Sequence, residues 1–110
     1  MDELSADQLR ALLKDATSTG SKISIRFTTH ADEELKKDGK TRRDAINVLR
    51  GGFVEQTEWD VSRYEWRYRV STSRMSVVVT VDSSELEPEP PATAGETRTF
   101  VVVITAWSYR

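Results

Sequence analysis

Residues 64–71 read Tyr64-Glu65-Trp66-Arg67-Tyr68-Arg69-Val70-Ser71. Apolar side chains fall on Tyr64, Trp66, Tyr68 and Val70, polar or charged ones on Glu65, Arg67, Arg69 and Ser71. Side chains alternate across a strand, so this period of two predicts a strand with one apolar face and one cationic face. Outward from it, Phe53 to Trp59, Met75 to Val81 and Phe100 to Trp107 read as three further strands. The runs Val77-Val78-Val79 and Val101-Val102-Val103-Ile104 are apolar at every position, which predicts central strands covered on both sides. Residues 83–97 hold all three prolines, Gly95 and several acids, and read as a long, flexible, acidic hairpin loop.

The N-terminal half has a helical period instead. Ser5 and Gln8 fit a capping box, Leu4 and Leu9 a hydrophobic staple, and Leu9, Leu12, Leu13 and Ala16 follow at helical spacing, so a helix is expected over 5–16. Ile23 to Phe27 alternates and reads as a short strand. Thr29, with Asp32 at the capping-box position, reads as the next N-cap, which makes His30 the first residue of a helix ending near Gly39. Thr41 and Asp44 open a third helix that stops at Gly51-Gly52. The expected fold is α+β: three N-terminal helices and a short first strand, packed on one face of a curved antiparallel sheet within a single domain, 1–110.

Composition removes whole classes of chemistry. With no cysteine among 110 residues there is no disulfide, thiol nucleophile or Cys-based zinc site. A single histidine, His30, rules out a two-histidine nuclease centre or a His-rich metal site. No apolar run reaches the roughly 18 residues of a membrane span, and the acidic start Met1-Asp2-Glu3 lacks the pattern of a signal peptide, so the expectation is a cytoplasmic protein with no membrane association.

Three groups of residues carry possible chemistry. His30 at a helix start suits acid–base work, because the positive helix end disfavours a cationic ring; the alternative is a surface histidine beside a cap, or a buried one with a satisfied hydrogen bond. Arg67 and Arg69 share one strand face and can hold a phosphate and stabilise transition-state charge, with Arg63 and Arg74 flanking them at the strand ends. The alternative is pairing across the sheet with Glu55 or Glu58. Thr105, Trp107 and Tyr109 alternate onto one face of the last strand, where Tyr109 could stack on a base or donate to a phosphate.

The run Phe27-Thr28-Thr29-His30-Ala31, the helix ending Lys37-Asp38-Gly39, the segment 41–52, Phe53-Val54-Glu55, Trp66 to Val70 and the closing Val103-Ile104-Thr105 together resemble a small, largely uncharacterised bacterial family. That family has an HA helix start and a V-I-T closing strand. It belongs with the RelE/ParE/HigB and MqsR-like toxins and, more broadly, with the barnase–colicin–RelE ribonuclease fold. The resemblance covers about residues 23–109. It implies a RelE-like core and the toxin of a type II toxin–antitoxin system, a metal-independent endoribonuclease without cofactor that cleaves RNA (mRNA) and is neutralised by a cognate antitoxin protein. It also implies His30, Arg67, Thr105 and Tyr109 as catalytic, with Arg69, Arg63 and Arg74 binding substrate. The alternative it carries is a non-catalytic, protein-binding toxin or regulatory module, acting as ParE-like proteins inhibit their target.

Sixteen basic and eighteen acidic side chains give a formal charge of −2, which departs from the basic character usual in RNA-binding proteins. The distribution restores it. Residues 22–74 carry twelve basic and nine acidic side chains, net +3, whereas residues 75–97 carry five acids and no base. The expected site strands lie largely in the positive segments.

Overall fold

Three local signals start the helices. The Ser5 hydroxyl accepts from the Gln8 backbone N–H and the Gln8 side chain accepts from the Ser5 N–H, closing the capping box of α1 (Ala6–Ala16). Thr41 and Asp44 close a second box at the head of α3 (Arg42–Gly51). Between them, Thr28 rather than Thr29 caps α2 (Thr29–Lys37), accepting from the Ala31 N–H at 3.0 Å. Adjacent threonines can both cap, and the choice is tertiary. The Thr28 hydroxyl also donates to the Ile104 carbonyl at 3.0 Å, and its N–H donates to the Val103 carbonyl at 3.0 Å. His30 is therefore the second helical residue, one position later than its sequence placement. Gly39, at φ 67°, ends α2 in the left-handed conformation, with Lys40 N–H on the Leu35 carbonyl and Gly39 N–H on the Lys36 carbonyl.

The computed structural model describes residues 3–85 and 97–109. Five strands, β1 (Ser24–Phe27), β2 (Phe53–Asp60), β3 (Glu65–Ser71), β4 (Met75–Glu85) and β5 (Thr97–Ser108), form one sheet in the order β1-β5-β4-β3-β2. The sheet is mixed, which corrects the expected RelE-like arrangement of helices on an antiparallel sheet. β2 to β5 run antiparallel to their neighbours, but β1 pairs parallel with β5, Ser24 opposite Phe100 through Phe27 opposite Val103. The physical reason is that the edge beside β5 is filled by a strand from the N-terminal half. Two helices and three strands intervene between them in the chain, and a parallel pair requires such a crossover. The loop boundaries also shift: residues 83–85 and 97, assigned from sequence to the hairpin loop, are paired strand. The remainder of that loop, 86–96, lies outside the described residues.

One face of the sheet presents Tyr68, Val70, Val77, Val79, Val101, Val103 and Ala106, all 0–1% exposed, to Leu9 and Leu13 of α1, Ala31 and Leu35 of α2, and Ala45, Val48 and Leu49 of α3. Each helix thus buries a stripe at three- to four-residue spacing. The Tyr68 hydroxyl, at the edge of this core, accepts from the Leu4 N–H at 2.9 Å and fixes the approach to α1. The expectation of two covered faces is corrected. β4 and β5 are interior strands, but Val78, Val102 and Ile104 on the opposite face are only half-buried. No helix among the described residues is long and apolar enough to cross a membrane.

Candidate functional site

The half-open face is ordered by strand register. Gln56, Arg69, Val78 and Thr105 stand in one row, and Glu58, Arg67, Thr80 and Val102 in the next, continued by Arg26 on β1. Two β-bulges shape it. Ile104 is the extra residue between the pairs Val78–Thr105 and Val79–Val103, so Ile104 and Thr105 both leave the core side. Glu55 is the extra residue between Val54 and Gln56 on β2. Bulges commonly re-aim side chains near sites, and each of these does so here.

Two grooves lie side by side on this face. The first, about 900 Å³, is lined by Thr28, His30, Arg63, Tyr64, Arg67, Thr80 and Ile104, among others. The second, about 660 Å³, includes Gln56, Arg67, Arg69, Val78, Thr105 and Trp107. Arg67 lines both. The fold thus brings His30 from a helix start, Arg67 from β3 and Arg63 from the β2–β3 turn to one cleft. It places Arg69 and Thr105 in the adjoining one. Arg74 does not join them: it is exposed in the β3–β4 turn, where its carbonyl accepts the Tyr109 N–H at 2.8 Å.

The two arginines are held rather than free. Arg67 Nη2 lies 3.0 Å from Asp60 Oδ2 and 3.6 Å from Glu65 Oε1. Arg69 Nε lies 3.2 Å from Glu55 Oε2. The Arg69 contact is an ion pair without hydrogen-bond alignment, because the Nε–H groups of Arg67 and Arg69 are both shielded from solvent and lack an acceptor among the described residues. Pairing with Glu55 was an expected alternative for this strand face. Pairing of Arg67 with Asp60 and Glu65, in place of Glu58, was not. Asp60 also organises the turn, its Oδ1 accepting from the Ser62 hydroxyl at 2.8 Å and from the N–H groups of Ser62 and Arg63. The Ser62 hydroxyl, then the Arg63 N–H and the Arg67 charge, hold the Asp60 carboxyl below its ordinary value, while burial works against them.

Tyr109 is committed elsewhere than expected. Its hydroxyl bonds the Ser76 hydroxyl, which bonds Ser71 at 2.7 Å, and Ser71 Oγ donates to Glu55 Oε2 at 2.5 Å. Each hydroxyl has one proton, and the carboxylate only accepts, so the polarity of the chain is fixed: Tyr109 donates to Ser76, Ser76 to Ser71, and Ser71 to Glu55. Ser71 and Ser76 are 1% and 0% exposed. The sequence assigned Tyr109 to phosphate or base. Its hydroxyl proton is spent on Ser76, and Tyr109 lines neither groove.

Asp60, which holds Arg67, and the Ser71 and Ser76 hydroxyls, which lead from Tyr109 to Glu55, have no role in the sequence reading. The alternation of β3 carried one signal, since Ser71 continues the face of Arg67 and Arg69. Glu55 is legible as an acidic partner for that face, but its contact with Ser71 is not, because it depends on the bulge. Among the described residues no group of three or more His, Asp and Glu side chains converges as a metal site. No family model, curated protein or solved structure matches the chain.

Proposed function

We propose that this protein is a small endoribonuclease toxin that cleaves RNA without a metal or cofactor and is neutralised by a cognate antitoxin. One observation carries the reading: His30 and Arg67 line the same groove although 36 positions separate them in the chain. A 2′-hydroxyl attacks the adjacent phosphorus, the bond from phosphorus to the 5′-oxygen breaks, and the ends become a 2′,3′-cyclic phosphate and a 5′-hydroxyl. The step needs a group that takes the 2′-hydroxyl proton, one that returns a proton to the 5′-oxygen, and positive charge on the phosphorane. His30 is an exposed proton-transfer group of the groove, as base or acid. Arg67 supplies the charge, with Arg63 beside it. Asp60 and Glu65 hold the guanidinium in place before substrate arrives, and a substrate phosphate competes with them for it. Arg69 and Thr105 serve the neighbouring groove.

The test is induced expression of the parent, His30→Ala and Arg67→Ala chains, with total RNA incubated in EDTA beside it. Growth arrest and RNA cleavage by the parent, both relieved in the variants, support the reading. Equal toxicity of all three overturns it.

A second reading, a toxin that acts by docking a protein, draws on the exposed apolar residues of the edge strand β2 and the turn after it: Phe53 at 52%, Val61 at 72% and Tyr64 at 79% exposure. Growth arrest with intact RNA would favour it.

A further inference from the structure

The second groove has no role in phosphate chemistry, yet it has the makings of a recognition site. Its volume, about 660 Å³, lies within the roughly 300–1,000 Å³ of small-molecule sites. Register puts Trp107 and Thr105 on the same face of β5, opposite Ser76 and Val78 of β4. The Arg69 guanidinium carbon stands 6.0 Å from the Trp107 ring centroid, at the reach of a cation–π contact. Val78 adds an apolar floor between Arg69 and Thr105, and Gln56 an amide at the end of that row. Trp107 is only half-buried. An indole, a guanidinium plane, an apolar floor and a few polar groups are what a flat heteroaromatic ring requires: stacking surface for its faces and donors or acceptors for its edge.

Arg67 decides which ring. It lines both grooves, so a ligand whose phosphate meets Arg67 in the first can set a ring in the second. A nucleotide carries both groups within one unit. We infer that the Trp107 groove is a nucleobase site, binding the base of the nucleotide whose phosphate sits at Arg67, with Trp107 as its stacking platform and Arg69 as a donor to the base edge. The inference rests on the RNA reading of the first groove and adds the residues that select the base.

The experiment is isothermal titration of the full chain with two probes, adenosine 5′-monophosphate and ribose 5-phosphate, which carry the phosphate on the same carbon and differ in the base. The parent should bind the adenosine probe about tenfold or more tightly than the sugar phosphate, the scale of one base stacked on one aromatic side chain. Trp107→Ala should bring the adenosine probe to the level of the sugar phosphate, and Trp107→Phe should keep most of the preference. Equal affinities in the parent, or an unchanged preference in Trp107→Ala, would overturn the base site. The parent comparison and Trp107→Phe decide the question even if the alanine variant fails to fold. Equal affinities together with RNA cleavage remove the base groove and leave the catalytic reading standing. No binding of either probe and no cleavage remove both.

Discussion

Replacing Arg67 by Gln separates the ion pairing of this side chain from the phosphate-binding role proposed for it. Structurally, Arg67 bridges Asp60 at 3.0 Å and Glu65 at 3.6 Å, with 28% of its own side chain and 19% and 26% of theirs exposed. Exposed pairs contribute about 0.2–1 kcal/mol each. Two partly shielded contacts therefore place the stability cost at about 1–2 kcal/mol. That is a melting shift of about 4–15 °C for a domain near 100 residues, small against a typical total of about 5–15 kcal/mol. Functionally, losing the cation that faces the phosphorane should slow cleavage by about 10²–10³, the scale of one removed transition-state donor. Thermal unfolding and single-turnover RNA cleavage on the same preparations separate the two. Arg67→Gln should remain folded at 25 °C and lose nearly all activity. Asp60→Asn is the matched control, because it breaks the same ion pair from the other side while leaving the guanidinium. It should share the stability loss and cleave more slowly than the parent but well above Arg67→Gln, because the guanidinium remains and only its positioning is weakened. If Arg67→Gln cleaves at the parent rate, or if Asp60→Asn loses as much activity as Arg67→Gln, Arg67 is a structural ion-pair partner and the proposed chemistry fails.

Gly52→Ala should destabilise the fold by about 1–3 kcal/mol, the cost of an overpacked contact, because a Cβ there would meet the Val48 carbonyl oxygen at 2.6 Å and the Ser71 carbonyl oxygen at 2.8 Å, both backbone atoms; urea unfolding reads it. Ser76→Ala should cost about 1–2 kcal/mol, since it breaks the chain from Tyr109 to Glu55 and leaves the Ser71 hydroxyl without its donor; the unfolding midpoint should fall with the slope unchanged. Asp44, held below its ordinary value by the Thr41 backbone N–H and hydroxyl, and Asp60 both have lowered folded-state pKa values. Their stabilisation is present above the ordinary carboxylate range and is lost as pH falls through the folded values, so urea midpoints should decline below about pH 4, and less steeply in Asp44→Asn.

What the sequence revealed divides by range. Capping boxes are local, involving residues three apart, and both Ser5–Gln8 and Thr41–Asp44 formed where they were read. The alternation read over 64–71 holds across Glu65–Ser71, because a strand with one buried face cannot slip by one residue without exposing Tyr68 and Val70, but Tyr64 falls outside it, exposed in the turn at φ 53°. Contacts between distant segments were illegible. The parallel seating of β1 on β5 depends on four residues meeting a strand more than 70 positions away, and a four-residue run carries no mark of its partner. Thr28 overtook Thr29 as a cap through carbonyls on that same distant strand. The bulges at Glu55 and Ile104 leave no pattern in composition, yet they decide that Glu55 meets Ser71 and that Thr105 turns from the core. At the site, alternation was enough to put Arg67 and Arg69 on one face, whereas the acidic partner of Arg67 comes from the Asp60 turn, whose geometry no period describes.

In the proposed chemistry the His30–Arg67 groove directs a 2′-hydroxyl onto its neighbouring phosphorus. The most direct measurement of that step uses purified protein in EDTA with two oligoribonucleotides that differ only by a 2′-deoxy substitution at the cleaved position. The all-ribose strand should be cut to a 2′,3′-cyclic phosphate and a 5′-hydroxyl, the deoxy strand should stay intact at that bond, and His30→Ala should cut neither. Cleavage of the deoxy strand at the same bond, or an all-ribose strand left whole by a protein that still arrests growth, would contradict it.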